Sequence, residues 1–89
     1  MAISLAERTA QLDAEQRLLV KAEQDIESGW QRVRNQEDRV RELMAGGHDT
    51  CQAERLVDLL KQTLVEWERH RTLIEQRVAF LQREVNPEA

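Results

Sequence analysis

The segment His48-Asp49-Thr50-Cys51 places an imidazole, a carboxylate and a thiol next to one another in the chain. A thiol in the first turn of a helix has its pKa lowered by the helix dipole and the free amides. A nucleophile also needs a pocket, and a short turn at the end of a rod offers little concavity. Helix capping explains Asp49 and Thr50 without any chemistry. We therefore predict no catalytic residue here and interpret Cys51 as a small apolar side chain.

Glu66 and His70 lie one helical turn apart, a spacing that can chelate a metal ion. Di-iron bundles use Glu-x-x-His motifs on inward faces, but the residue three positions before His70 is Trp67. The sequence has no second motif of this kind. We predict no metal and no cofactor.

Arginines are concentrated in two stretches, one at residues 32–41 and one at residues 69–83. A basic face of this kind is the electrostatic footprint of nucleic-acid binding. Here acidic residues are interleaved with the arginines, and the net charge of the chain is −4. A solvated charged face is therefore the favoured interpretation. The alternative function is a small nucleic-acid-associated or regulatory protein that uses these arginine clusters.

The elements that must position these residues follow from an apolar repeat of seven residues. An unbroken repeat keeps one apolar seam facing a partner helix. One turn signal, at residues 45–50, separates two such runs, so we predict an all-α, antiparallel two-helix coiled-coil hairpin forming a single domain over residues 1–89. The two runs are Leu5, Leu12, Leu19, Ile26, Val33 and Val40, and Ala53, Leu60, Trp67, Ile74 and Leu81.

Capping signals predict the ends of both helices. Ser4 begins a capping box, so the first helix is predicted over about 4–45, closed by Gly46 in the left-handed conformation. The turn is predicted over 46–49. The second helix is predicted over about 50–85, because Pro87 disfavours helical geometry at the preceding residue. The predicted turn and cap residues are Gly46, Gly47, Asp49 and Thr50.

Residues that face each other across the seam lie equally far from the turn, which places Gly29 level with Trp67 and Glu23 level with Arg71. A Gly inside a helix costs ~1 kcal/mol relative to Ala. Room for an indole is a physical reason for this Gly, and a mild kink is the alternative. Arg71 lies in the second seam column of the second helix, which is otherwise apolar, so we predict an ion pair with Glu23, or with Glu27, that fixes the register. The other residues of this column are Val57, Leu64, Val78 and Val85. The alternative is an Arg71 that extends outwards into solvent.

The second helix carries apolar residues outside its seam. Leu59, Leu73 and Phe80 occupy one seven-residue column that only Glu66 interrupts, and Leu56 lies off the seam as well. A hairpin has one contact stripe per helix, so these side chains would face water in a monomer and mark an interaction surface. We predict a homodimer in which two hairpins form a four-helix bundle; a different protein partner is the alternative. The first helix adds three apolar residues off its main column: Ile3, Leu18 and Val20.

The composition agrees with this architecture. Charged residues make up 34% of the chain, apolar residues 40% and aromatic residues 3%, as in coiled coils and long helices. No apolar run approaches the ~18 residues of a membrane span, the first residues lack the features of a secretory signal, and a single Cys cannot form an intrachain disulfide. We expect a cytoplasmic protein without a membrane partner.

A short motif at the turn carries a resemblance to known proteins. The stretch Ala45-Gly46-Gly47-His48-Asp49-Thr50, with Ala53-Glu54-Arg55-Leu56-Val57, Leu64 and His70-Arg71, resembles short alphaproteobacterial helical-hairpin proteins with a Gly-His-Asp-Thr turn. The resemblance covers mostly residues 45–74. It implies the hairpin, it implies no activity, and it suggests that His48 and the His70-Arg71 pair serve more than solubility. We predict a non-enzymatic protein–protein interaction or scaffold module that presents a rigid helical surface.

Overall fold

The computed structural model describes residues 3–87 as two long α-helices packed antiparallel. Helix α1 spans Leu5–Ala45 and helix α2 spans Cys51–Val85. The molecule is a rod of 65 × 18 × 17 Å, which is the width of two helices side by side. The predicted all-α hairpin is confirmed. Within the described range, neither helix has an apolar stretch long enough to cross a bilayer.

Ser4 caps the N-terminus of α1 as predicted. Its backbone is extended, with φ −68° and ψ 160°, and its hydroxyl accepts a hydrogen bond of 3.1 Å from the amide of Glu7. The first four amides of a helix have no partner within the helix, so this bond satisfies one that water would otherwise have to solvate. The capping pattern in the sequence thus specifies where α1 begins.

The C-terminus of α1 closes in a different way from the one predicted. The amide of His48 donates to the carbonyl of Leu43 at 2.9 Å, and the amide of Gly47 donates to the carbonyl of Met44 at 3.1 Å. These are the two bonds of a Schellman motif. Gly46 has φ −84°, and Gly47 has φ +74°. The prediction of a left-handed Gly46 is therefore wrong, because the left-handed position falls on the residue after the helix cap.

Asp49 supplies the cap of α2. Its Oδ1 accepts a hydrogen bond of 2.9 Å from the amide of Cys51, whereas the Thr50 side chain makes no capping hydrogen bond. The connection between the helices is therefore held at both ends by local hydrogen bonds: a Schellman motif closes α1 and a carboxylate opens α2. Such a short, locally bonded connection requires the two helices to be antiparallel neighbours.

Replacing Gly47 by Val should destabilise the hairpin by about 1–2 kcal/mol, because a side chain with a Cβ atom disfavours left-handed backbone by that amount. Gly47→Asn should be milder, since Asn tolerates this conformation. The matched control is Gly46→Ala: its φ suits any residue, and only the His48 ring, 2.9 Å from a Cβ at this position, has to move. Urea unfolding followed by circular dichroism measures all three. Equal losses at positions 46 and 47 would contradict the assignment.

The core is a narrow seam along the rod. It is made by the columns that the seven-residue repeat predicts, and it weakens at the open end, where Leu5 is 62% exposed. Leu5 lies level with a point beyond the end of α2 at Val85, so it has no residue to pack against. The buried residues are Ile26, Gly29 and Val33 of α1 and Val57, Leu64, Ile74 and Val78 of α2.

Gly29 lies at a close approach between the helices. A Cβ atom at this position would lie 2.6 Å from Cδ2 of Leu64 and 3.3 Å from Cζ3 of Trp67. The sequence places the indole of Trp67 here, and the structure shows that Leu64 is nearer still. The absence of a side chain at Gly29 therefore lets two large apolar residues of α2 pack against the backbone of α1.

Candidate interaction surface

Four large apolar side chains of α2 point away from the seam into solvent. Between 44% and 57% of each of these residues is exposed. No other described residue covers them, and exposed apolar patches on one side of a protein can mark an interaction site. They are the residues that the sequence marks as an oligomer or partner face, and we call them the α2 stripe: Leu56, Leu59, Leu73 and Phe80.

Leu18 of α1 extends the α2 stripe across the hairpin. Arg77 of α2 lies one turn from Leu73 and reaches α1 through an ion pair with Glu15, whose Oε2 is 3.3 Å from the Arg77 Nε. Leu18 follows Glu15 by one turn, so it lies on this same side of the rod, and it is also about half exposed. The sequence shows Leu18 as an apolar residue off the seam, but only the pairing of the two helices shows which side it joins.

Glu66 is the one charged residue inside the column of Leu59, Leu73 and Phe80. Its Oε1 lies 3.2 Å from a guanidinium nitrogen of Arg69 on the same helix. Both side chains are largely exposed, so the pair contributes little to the stability of the single hairpin. His70, one turn from Glu66, is exposed too. The middle of the α2 stripe is therefore polar and carries both signs of charge.

The opposite side of the hairpin carries Val20, Trp30 and Met44 of α1 as exposed large apolar residues, but among the described residues of α2 it has Val65 alone. Val65 is 49% exposed, yet the residues seven positions before and after it are Asp58 and Thr72. Trp30 on this side donates a hydrogen bond of 3.3 Å from its Nε1 to Oε1 of Glu68, which ties the indole to α2. Single exposed apolar residues are normal on soluble proteins. The α2 stripe is thus the stronger candidate for an interaction surface.

The predicted register pair between Glu23 and Arg71 does not form. Arg71 instead lies 3.3 Å from Oε1 of Glu75, one turn further along its own helix, and no ion pair of the described residues joins it to Glu23 or Glu27. An ion pair between residues i and i+4 of one helix does not require the side chain to extend across the seam. This explains why Arg71 pairs with Glu75 rather than with Glu23. Three other ion pairs cross the hairpin and are compatible with its register: Arg8–Glu84, Lys61–Glu37 and Arg77–Glu15.

At the hairpin tip, Asp49 and Cys51 interact with each other. The carboxylate of Asp49 accepts a hydrogen bond from Cys51, and it raises the pKa of the Cys51 thiol through that bond and through its charge. The expected lowering by the helix N-terminus is therefore wrong in direction. The amide of Cys51 in turn lowers the pKa of Asp49. The imidazole of His48 lies beside Gly46.

Removing the charge of Asp49 should make Cys51 more reactive. In Asp49→Asn the pKa of the thiol falls, so a larger fraction is thiolate at pH 7 to 8 and alkylation is faster, while the amide oxygen can still cap α2. Glu54→Gln is the matched control, because Glu54 raises the pKa of Cys51 less than Asp49 does, and its effect should be smaller. The pH dependence of alkylation measures both. A thiol whose reactivity depends on His48 instead would contradict this assignment.

The arginines of both clusters lie among carboxylates. Arg39 pairs with Glu42 and Arg41 with Asp38 within α1, and Arg69 pairs with Glu66 in α2. Each pair is exposed and worth little in stability, but it cancels positive potential along the rod. Among the described residues, no group of three or more His, Cys, Asp or Glu side chains is arranged to hold a metal ion.

The fold and this surface define the class of protein: an antiparallel helical hairpin with one uncovered apolar stripe. Comparison with known proteins adds no narrower assignment, because no family model, curated protein or solved structure matches the chain.

Proposed function

We propose that this chain is a cytoplasmic, non-enzymatic interaction or scaffold module that works by presenting one side of a rigid helical hairpin to a protein partner. The single observation that carries the proposal is the α2 stripe, whose large apolar residues are about half exposed while Leu64 and Ile74 of the same helix are buried in the seam. Covering the exposed half of a Leu or Phe side chain stabilises an assembly by about 1 kcal/mol. Several such residues in a row form a usable docking surface.

The partner that we propose is a second copy of the same hairpin, in a four-helix bundle. Two-fold symmetric dimers bring the same patch of both subunits together, so one stripe per chain suffices to cover both. The hairpin alone has a seam only one residue layer deep, and a second layer of helices would complete it. Bundles of this kind pack helices nearly parallel or antiparallel with a short interaxial distance, and an elongated hairpin of 65 × 18 × 17 Å fits that geometry.

The proposal is tested by the molar mass in solution. Light scattering or sedimentation equilibrium over a wide concentration range should give twice the chain mass of 10.4 kDa, with dissociation on dilution. A mass of one chain at every concentration would overturn the homodimer. If the protein is a monomer and binds no protein partner, the proposed interaction function is wrong as well.

The same sample tests the nucleic-acid alternative. Binding through the arginine clusters would weaken steeply as salt rises, because phosphate contacts release counterions. We expect no retention of a generic duplex DNA even at low salt, since exposed carboxylates pair with arginines in both clusters. Salt-sensitive retention would favour the regulatory, nucleic-acid-associated function over the interaction module.

A further inference from the structure

The column at the centre of the α2 stripe has a spacing that suits two-fold symmetry. Its four positions are Leu59, Glu66, Leu73 and Phe80, and the midpoint of the column lies between Arg69 and His70. We infer that the two hairpins of the dimer pack antiparallel about an axis at this midpoint, and that Glu66 determines this antiparallel orientation. The inference rests on the proposed homodimer.

In the antiparallel arrangement each position of the column meets a complementary one. Leu59 faces Phe80 of the second copy, and Glu66 faces Leu73 of the second copy. The residues one turn before that Leu73 are Arg69 and His70, so the carboxylate of Glu66 lies beside cationic or hydrogen-bond-donating groups. The Glu66–Arg69 pair of the single hairpin, at 3.2 Å, can then be continued between the subunits. Charged residues paired in this way confer specificity more than affinity.

In the parallel arrangement every residue of the column meets its own copy. Glu66 then faces Glu66 directly, whereas in the antiparallel arrangement the two Glu66 residues lie about 10 Å apart along the rod. Like charges placed directly together in a partly desolvated interface are destabilising. A repulsive element that acts against only one of two arrangements discriminates between them. Glu66 therefore explains why the column is interrupted by a charged residue.

In the antiparallel arrangement the axis also lies near the middle of α2. The axis lies about 23 Å from the end of α2 at Val85 and about 28 Å from its start at Cys51, at 1.5 Å per residue. The two rods then overlap over most of their length, and Leu18 of each copy, level with Arg77, lies inside the overlap. The two hairpin tips point in opposite directions and lie at opposite ends of the bundle.

Cys51 reports the orientation directly, because it is the single Cys of the chain and is exposed at the start of α2. In the antiparallel dimer the two Cys51 residues lie about 55 Å apart. In the parallel dimer they are level with each other and within about 25 Å, given the short interaxial distance of packed helices. Spin labels on the natural thiol, measured by double electron–electron resonance, should give the long distance.

Variants at Glu66 test whether this residue sets the orientation. Glu66→Leu completes the apolar column and should add a population at the short distance, while Asp58→Leu removes the same charge away from the α2 stripe and should keep the long distance alone. Each sample is first shown by its mass to be a dimer, so that a monomer overturns the proposed homodimer and not merely its orientation. A dimer with only the short distance overturns the antiparallel arrangement. An unchanged distance in Glu66→Leu overturns the role of Glu66.

Discussion

Replacing Leu73 and Phe80 together by Glu should convert the protein into a 10.4 kDa monomer at concentrations where the natural chain is a dimer. Each dimer would contain four new carboxylates in the apolar parts of the contact, and burying an unpaired carboxylate costs several kcal/mol. Since 1.4 kcal/mol corresponds to a factor of ten, association should weaken by well over a hundredfold. Sedimentation equilibrium measures the loss. Helicity and melting temperature should fall with it, because the second layer of helices is gone.

The control for this variant lies on the other side of the same helix. Val65 is exposed to nearly the same fraction as the residues of the α2 stripe, so Val65→Glu introduces one carboxylate per chain, half the charge of the double variant, at an equally solvated site. It should leave the mass of the dimer unchanged. If the stripe variant kept both its mass and its melting curve, the α2 stripe would not be an interface. If both variants became monomeric, the contact would involve the opposite side of the hairpin as well.

The architecture was predictable because several independent signals in the sequence agree. The seven-residue repeat defines the seam, the Ser4 capping box defines where α1 begins, and the short turn makes the helices antiparallel. The turn then sets the register, which is why Gly29 was correctly placed at the level of Trp67. Long helices with strong periodicity and capped ends leave few alternative folds.

Two predictions were wrong for the same reason: the sequence offers two similar candidates for one role, and local geometry decides between them. Gly46 and Gly47 are both glycines, and a difference of one residue in the helix end decides which of them is left-handed. The sequence offers Arg71 possible carboxylate partners on both helices: Glu23 and Glu27 on α1, and Glu75 on its own helix. The ion pair forms with Glu75 because Glu75 lies one turn away on the same helix. Spacing in a sequence defines faces of a helix well and individual side-chain partners poorly.

The candidate surface was predictable only as far as one chain can show it. The exposure of the α2 stripe follows from its heptad position, because residues outside the seam columns must point away from the partner helix. Leu18 could not be assigned to that side, since its position depends on which flanks of the two helices come together. The dimer itself requires a second copy of the chain, so it stays a prediction.

Replacing Gly29 by Val should cost about 1–3 kcal/mol of stability, although Gly is a poor helix former and its replacement ordinarily stabilises a helix. The reason is the close packing against Leu64, whose Cδ2 lies 2.6 Å from the position of a Cβ at Gly29. Leu64 is 2% exposed, so its side chain cannot move into solvent. Ser28→Val, on the exposed face next to it, should be nearly neutral. Urea unfolding at one fixed protein concentration compares the two.

A second substitution shows whether the contact with Leu64 is the cause. Leu64→Ala alone should cost about 2–5 kcal/mol, because it leaves a cavity in the seam. In the double variant the Val side chain occupies part of that cavity and no longer meets Leu64. Its total loss should therefore fall short of the sum of the single losses by about 0.5–3 kcal/mol, as expected for residues in contact. Additive losses would mean that the two residues are not coupled. A Gly29→Val protein more stable than the natural chain would show instead that Gly29 is a soft point in α1, with room for a side chain after a small shift of the helix.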